Sequence, residues 1–553
     1  MNRLLVALRQ RKVFGALGAY LAGALTTLLA VAELYDDFGL PDGTPRAVAG
    51  LLAAGIPLVA VLAWRYDLRR DGASLTKADT DAPAPQGPGT GARGPPSIVV
   101  LPFDNISPDP TDAYLAEGLT EEITASLCAL HDLRVTSRTS ATVLKQAGKD
   151  TRAIGAELDV GYVLEGSVRK VGEALRITAQ LIRAATDEHL WSERYDGTLA
   201  DVFGMQEEVA SSIVRILEVH LEPAEARRLR ARPMDDLQAY ESYLRAREAA
   251  RLGPIEDLEV ALSHLEEARE RVGENAVVLA GIGYVYSQFA NMDAQDRDYV
   301  ALAEEHARKA LAIDPDDPEA HMVLGFLYQE GLQDLDLSLH HLERSLALKP
   351  DDPHALTWWT IALSLAGRNE EMAAAAARLR EVDPLNPLSK AMRGYVRLVQ
   401  GELEGSVEDM EAWHRASPHG SPASVNHAFA LAQSGRRSEA EAILREEFAG
   451  DARGPVADLA RLLSAALVRD LDTMAAIANM DAGSKMARDL QATFWTASLY
   501  ALAGSPTETL RWLRLCVANG FRNYPWAAEN DAWLSRYRGD PEFEVVFDEM
   551  RRA

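Results

Sequence analysis

Cysteine is nearly absent from this chain: Cys128 and Cys516 are the only two in 553 residues, far apart and each in an apolar, helical-looking stretch. Neither a disulfide framework nor a cysteine-based zinc site can be assembled from them. Both read as buried, inert thiols, which fits a reducing compartment. Basic residues are also scarce, 57 Lys and Arg against 83 Asp and Glu, for a formal charge of −26. A field of that sign repels phosphate backbones, so nucleic acid is not expected as a partner. The signatures of catalysis are missing too: G-x-x-x-x-G-K-[ST], H-E-x-x-H, G-x-S-x-G and paired CxxC motifs do not occur. A G-x-G-x-x-G run at Gly89, Gly91 and Gly94 lies among prolines ahead of a strand, the wrong order for dinucleotide binding. No catalytic residue, metal ligand or cofactor is therefore expected, and the chain reads as a non-enzyme.

What is present divides into four parts. Residues 13–32 and 47–64 are uncharged apolar runs, long enough to cross the roughly 30 Å hydrocarbon layer of a bilayer. They predict a two-helix transmembrane hairpin within residues 1–70. Arg3, Arg9, Arg11 and Lys12 before the first run, and Arg65, Arg69 and Arg70 after the second, put both ends in the cytoplasm. A cleaved signal peptide ending at Ala30–Ala32 is the competing reading, but the first run exceeds the usual length of such a segment. Residues 71–96, rich in Gly, Pro and Ala, predict a disordered linker.

Residues 97–223 alternate strand and helix patterns and predict a small α/β sandwich. "SIVVLPF" suits a central strand, and "ALRITAQLI" turns Leu175, Ile177, Ala179 and Leu181 inward. The acid-rich turn between them, from Asp104 to Glu122, is no phosphate loop: it is anionic, and Pro108 and Pro110 remove backbone donors. As a calcium loop it lacks the required glycine. Its expected role is structural, with Thr120 capping a helix and Glu121 and Glu122 complementing the helix dipole. Glu165 and Arg169 are expected to face solvent or pair across the sheet.

The succession "VVLPFDNIS", "DAYLAEGLTEEI", "LRVTSRTS", "YVLEGSVRK" and "DVFGMQEEVASSIV" resembles the TolB amino-terminal-like domain. That resemblance implies a non-catalytic α/β module of bacterial signalling proteins, placed between a membrane or output module and tetratricopeptide repeats. With the apolar runs, it implies a multi-pass protein of the bacterial inner membrane, with the bilayer as one partner and most of the chain cytoplasmic.

From about residue 235 to 553, landmarks recur every 34 residues: Pro350, Pro384, Pro418; Gly367, Gly401, Gly435; Ser338, Met372, Ser406, Ala440. This is the tetratricopeptide period, and it predicts an all-α solenoid of some seven helical pairs. Small residues at Gly325, Thr360, Gly394 and Ala428 allow close helix approach, and a one-residue insertion near Gln333 explains the longer step from Pro315 to Pro350. The turns "DPDDPEA", "KPDDPHA" and "DPLNPLS" read as inter-repeat connections. His340 and His341 diverge on a helix and make a poor metal pair. Tyr524, Trp526, Trp533 and Phe543 in the tail are expected to cover the last repeat. First helices line the groove of such arrays, so His321, Tyr328, Trp358, Lys390, Arg397 and Asn426 are the candidate protein-binding positions. The expected function is a membrane-anchored scaffold for protein partners. The alternative is a ligand-sensing regulatory subunit acting on a separate adenylate cyclase or transcription regulator.

Overall fold

The computed structural model describes residues 66–69, 72–75, 95–230, 232–252, 255–292, 298–448, 454–478, 487 and 489–552. Residues 1–92 and 93–553 form separate units. In the first, strand β1 (Tyr66–Arg69) pairs antiparallel with β2 (Gly72–Leu75).

The expected membrane hairpin is corrected here. No helix among the described residues is long and apolar enough to cross a membrane, and the runs at 13–32 and 47–64 lie outside the described residues. The multi-pass placement and the bilayer partner fall with it.

In the second unit, strands β3 (Ser97–Val100), β4 (Asp104–Asn105), β5 (Arg134–Thr136), β6 (Tyr162–Val171), β7 (Ala174–Arg183) and β8 (Glu188–Thr198) form one mixed sheet. The order is β5-β3-β6-β7-β8, with β4 also on β6. Strand β3 runs parallel to both neighbours and is covered on both faces, which is why its apolar run is continuous. Ile98 and Val100 face helices α1 (Ala113–Cys128) and α4 (Val202–Ile216). Val99 and Leu101 face α2 (Arg138–Gln146) and α3 (Thr151–Leu158). Strand β7 buries Leu175, Ile177, Ala179 and Leu181, as its alternation requires. Glu165 accepts from Gln180, its register partner across the sheet.

Two local expectations fail. Helix α1 starts at Ala113, after a turn capped by Asp109, because Leu115, Leu119, Ile123 and Leu127 carry one apolar stripe through the acid-rich stretch. Thr120 is thus not a cap: it lies inside the helix, its hydroxyl donating to the Ala116 carbonyl at 2.7 Å and accepting from the Phe103 amide at 2.9 Å. Helix α2, short and polar, has no counterpart in the sequence reading.

After a short helix α5 (Pro223–Leu229), eight helical hairpins follow among the described residues. They are α6 (Leu237–Leu252) with α7 (Ile255–Val272), α8 (Ala276–Asn291) with α9 (Tyr299–Ile313), α10 (Pro318–Glu330) with α11 (Leu335–Leu348), and α12 (Pro353–Leu365) with α13 (Asn369–Val382). Then come α14 (Pro387–Val399) with α15 (Leu403–Arg415), α16 (Pro422–Gln433) with α17 (Arg437–Glu447), α18 (Pro455–Val468) with α19 (Leu471–Ile477), and α20 (Leu490–Ala503) with α21 (Pro506–Ala518). Helix α22 (Pro541–Arg552) closes the chain.

The second helices α11, α13, α15 and α17 begin 34 residues apart, at Leu335, Asn369, Leu403 and Arg437. The extra residue falls where expected: residues 331–334 join α10 to α11, whereas 366–368 join the next pair. Gly367, Gly401 and Gly435 close the first helices at φ of 75°, 80° and 84°, a left-handed conformation that favours glycine. A Cβ on Gly325 would meet Leu342 at 2.5 Å, so the close approach there is real. Asp317, Asp352 and Asn386 in the inter-repeat turns cap the following helices. First helices of successive repeats touch one another, α8 on α10, α10 on α12 and α12 on α14, which places them on the inner side of the curve.

Candidate functional site: the inner helix face and the domain junction

The six candidate groove residues do not share one surface. His321 and Tyr328 on α10 are each 6% exposed and are corrected from groove to core. His321 contacts the His341 ring nitrogen at 2.9 Å, and the Tyr328 hydroxyl accepts from Arg308 at 2.6 Å. Trp358 is partly buried and packs on Phe326 at 4.5 Å between ring centres. Arg397 is held by Asp409 at 3.0 Å and by the Gly405 carbonyl, inside its own repeat. The Asn426 amide bonds the Pro422 carbonyl one turn back. Lys390 alone of the six is exposed. His321, Tyr328 and Arg397 point at the second helix of the same or the preceding repeat, whereas Trp358 packs on the first helix of the preceding repeat.

The residues that do face inward are Ser364, Tyr395, Phe429 and Gln433, and they meet the chain's own C-terminal part. The Asn523 amide donates to the Ser364 carbonyl at 2.7 Å, and Asn530 to the Val399 carbonyl at 2.9 Å. Gln433 donates to Asp531 and accepts from the Ala532 amide, both at 2.8 Å. Residues 522–532 thus run along the ends of α12, α14 and α16 in repeat order. Trp526 packs on Tyr395 and Phe494, while Phe429 lies between Trp495 and Trp533. The tail covers the C-terminal ends of the first helices in the middle repeats, beyond the last repeat alone. Composition hides this, since the aromatic residues that would mark a cap on one repeat also mark a longer cover.

The α/β domain closes onto the same array. Strand β5 is the sheet's edge, and its outward amide at Val135 donates to Asp351 at 2.8 Å. The Ser137 amide donates to the Val382 carbonyl at 2.7 Å. Asp383 accepts from the hydroxyls of Ser137 and Ser140, and the Leu385 amide donates back to Ser140. The inter-repeat turns therefore serve as the missing neighbour of an edge strand, which would otherwise be an open template for pairing. In the sequence these acids read only as turn residues. The available signal is the polar run Ser137-Arg138-Thr139-Ser140 directly after a strand.

On the other side of the sheet α1 lies against α6. Gly118 permits this, since a Cβ there would sit 2.7 Å from Leu244. Arg247 of α6 bridges Glu121 at 2.9 Å and Glu319 at 2.6 Å, tying the α/β domain to α10. Tyr114 donates to Glu241, and Lys170 reaches Asp112 at 3.2 Å. Glu121 and Glu122 are thus junction residues and not dipole partners. Burial pushes the Glu122 carboxyl up to about 7, the Glu121 carboxylate adding to it against the opposing Arg247.

Folding therefore takes up a proton at Glu122, and stability falls as pH rises from the ordinary carboxylate range to about 7. Glu122→Gln is expected to flatten that fall and to leave the variant more stable than the parent at pH 8 by about 1–2 kcal/mol. Urea titrations at pH 5 and pH 8 check it; equal pH slopes in parent and variant would count against the assignment. Cys128 and Cys516 are free and buried, and burial pushes both thiols up.

Fold and junction define a class: a helical-repeat protein with an α/β domain docked on its inter-repeat turns and its own C-terminal segment across the ends of its first helices. Comparison with known proteins refines this. Residues 95–211 match the family described as HilA/YgeH-like transcriptional regulator, second domain. A protein of Rhizobium meliloti (strain 1021) named "Putative adenylate cyclase 3" is 37% identical over 232 residues, which are 41% of this chain and 39% of that protein. The chain thus matches about two-fifths of that relative's length. Among solved structures, the thermophilic TPR protein TTC0263 of Thermus thermophilus is 16% identical, over 35% of this chain and 99% of that one, at a TM-score of 0.29. YrrB, a TPR protein with an unusual peptide-binding site, is 21% identical over 35% and 92%, at 0.25. TolB of Acinetobacter baumannii is 16% identical over 22% and 28%, at 0.18. TM-scores this low carry no argument, so the repeat assignment rests on the helix pairs themselves.

Proposed function

We propose that the chain is a non-enzymatic interaction scaffold in bacterial signalling, a TolB amino-terminal-like domain and a tetratricopeptide array locked into one rigid body. The observation that carries this reading is the junction. Asp351 and Asp383 are each 1% exposed and hold the α/β domain by its strand edge, so a partner meets both parts as one surface. With the C-terminal ends of α12, α14 and α16 covered by the chain itself, recognition falls to exposed positions such as Lys390 on α14. Signalling is supported by the names of the matching family and relative. The same names favour a second reading, a regulatory subunit that binds a small ligand and acts on a separate cyclase or transcription regulator.

A photo-crosslinker placed at Lys390 is expected to capture a discrete protein partner in cells, competed by unmodified chain. Capture only from the α/β domain would move the binding surface there. Purified chain given MgATP is expected to form no cyclic AMP; formation would overturn the non-enzymatic reading. A small molecule that raises the thermal midpoint of the full chain would favour the second reading.

A further inference from the structure

We infer that the outer edge of strand β8 is an interface for a second copy of this chain, the two β8 strands pairing antiparallel about a two-fold axis at Tyr195. Strand β8 is the last of its sheet and pairs, among the described residues, with β7 alone. The opposite edge, β5, is taken up by the inter-repeat turns. At 11 residues β8 is also longer than β6 or β7, each of 10. Its outward side chains stand in solvent, Arg194 being 63% and Asp196 46% exposed. A row of backbone donors and acceptors therefore faces outward along a long strand, and such an edge is a template for another strand.

The sequence of β8 itself decides which strand fits. Its ladder with β7 is regular from Trp191 to Thr198 and shifts at Leu181/Ile182, where His189 and not Leu190 opposes Ile182. A bulge there bends the edge away, which confines pairing to residues 191–198. Directly opposite residues share a face of the sheet, so a two-fold axis between two copies must lie at a single residue, with the pairs symmetric about it. With the axis at Glu193, Arg194 or Asp196, that charge stands opposite itself, which is destabilising. Axes further out reach the bulge or leave only 196–198 to pair. With the axis at Tyr195, Arg194 of each strand opposes Asp196 of the other, so the complementary pair forms twice. Ser192 then opposes Thr198, and Glu193 opposes Gly197, which has no side chain to meet it.

The neighbouring charges permit this register. Asp196 Oδ1 accepts from Arg176 of β7 at 2.5 Å, while Oδ2 meets Arg194 of its own strand at 2.9 Å. Arg176 thus stays with its own Asp196, and the exposed Arg194 head is the one that turns to the second copy. Glu193 accepts from the Trp191 indole at 3.1 Å and from the Tyr195 hydroxyl at 3.2 Å on the other face, so it does not compete for Arg194. Charges along an edge ordinarily repel a second strand. These alternate so that the strand complements its own reversed copy.

Sedimentation velocity of the purified full chain is expected to show a dimer by about 100 μM, enough to half-fill an interface with a Kd of that order. R194D and D196R should each weaken dimerisation at least tenfold, because each sets like charges against one another. Mixed in equal amounts, the two variants are expected to dimerise again, since an all-acidic edge then meets an all-basic one. Damage to either fold would not be repaired by mixing. A parent that stays monomeric at about 100 μM would overturn the proposal. So would a dimer that survives both reversals, or two variants, each folded by circular dichroism, that stay monomeric when mixed.

Discussion

Asp383→Ala is expected to lower the unfolding free energy of the full chain by about 3 kcal/mol and to release the α/β domain before the repeats unfold. Asp383 is buried and accepts from three donors: the Ser137 hydroxyl, the Ser140 hydroxyl at 2.7 Å and the Asn386 amide at 2.8 Å. Removal of the carboxylate leaves two buried hydroxyls and the half-buried Asn386 amide without that partner, and each unsatisfied buried group costs about 1–3 kcal/mol. Local relaxation recovers part of the sum, hence the lower figure. Two of the donors, Ser137 and Ser140, lie just after the edge strand, so the loss falls on the junction rather than on either core. Urea unfolding followed both by tryptophan fluorescence and by cleavage within residues 97–223 measures it. An unfolding free energy within about 0.5 kcal/mol of the parent's would mean that the apolar contact of α1 with α6 holds the domains without the acids.

The repeats were legible because their constraints are local. Gly367, Gly401 and Gly435 must close a helix in the left-handed region, Asp317 and Asp352 must cap one, and the 34-residue interval follows from the length of two helices and two turns. The apolar alternation of β7 was legible for the same reason. What stayed hidden depends on residues far apart in sequence. Nothing near Asp351 announces that Val135 will donate to it, and Glu121 looks like a dipole partner until Arg247 arrives from another domain. His321 and Tyr328 turned inward by rotation: 34-residue spacing locates a position along the helix, but only neighbours decide which way it points. Arg397 and Lys390 differ by seven residues, yet the first is taken up by Asp409 and the second is free to meet solvent.

Trp526→Ala tests whether the C-terminal segment is part of the core or a removable plug in the inner face. Trp526 is 1% exposed and packs on Phe494 at 4.2 Å, Tyr395 at 5.8 Å and Phe521 at 6.1 Å between ring centres. Loss of so large a buried side chain removes its transfer free energy and leaves a cavity, together about 3–5 kcal/mol. The neighbours come from α14, from α20 and from the tail itself, so the cost is expected to appear in the unfolding of the whole repeat array, with one lowered transition. Trp359 gives the contrast: it is partly exposed with Arg368 over its ring at 5.3 Å, and Trp359→Ala is expected to cost about 1 kcal/mol. A plug would behave differently. Its loosening would leave the thermal midpoint of the array almost unchanged while raising protease sensitivity within residues 519–540, and that result would reopen the inner face as a partner site.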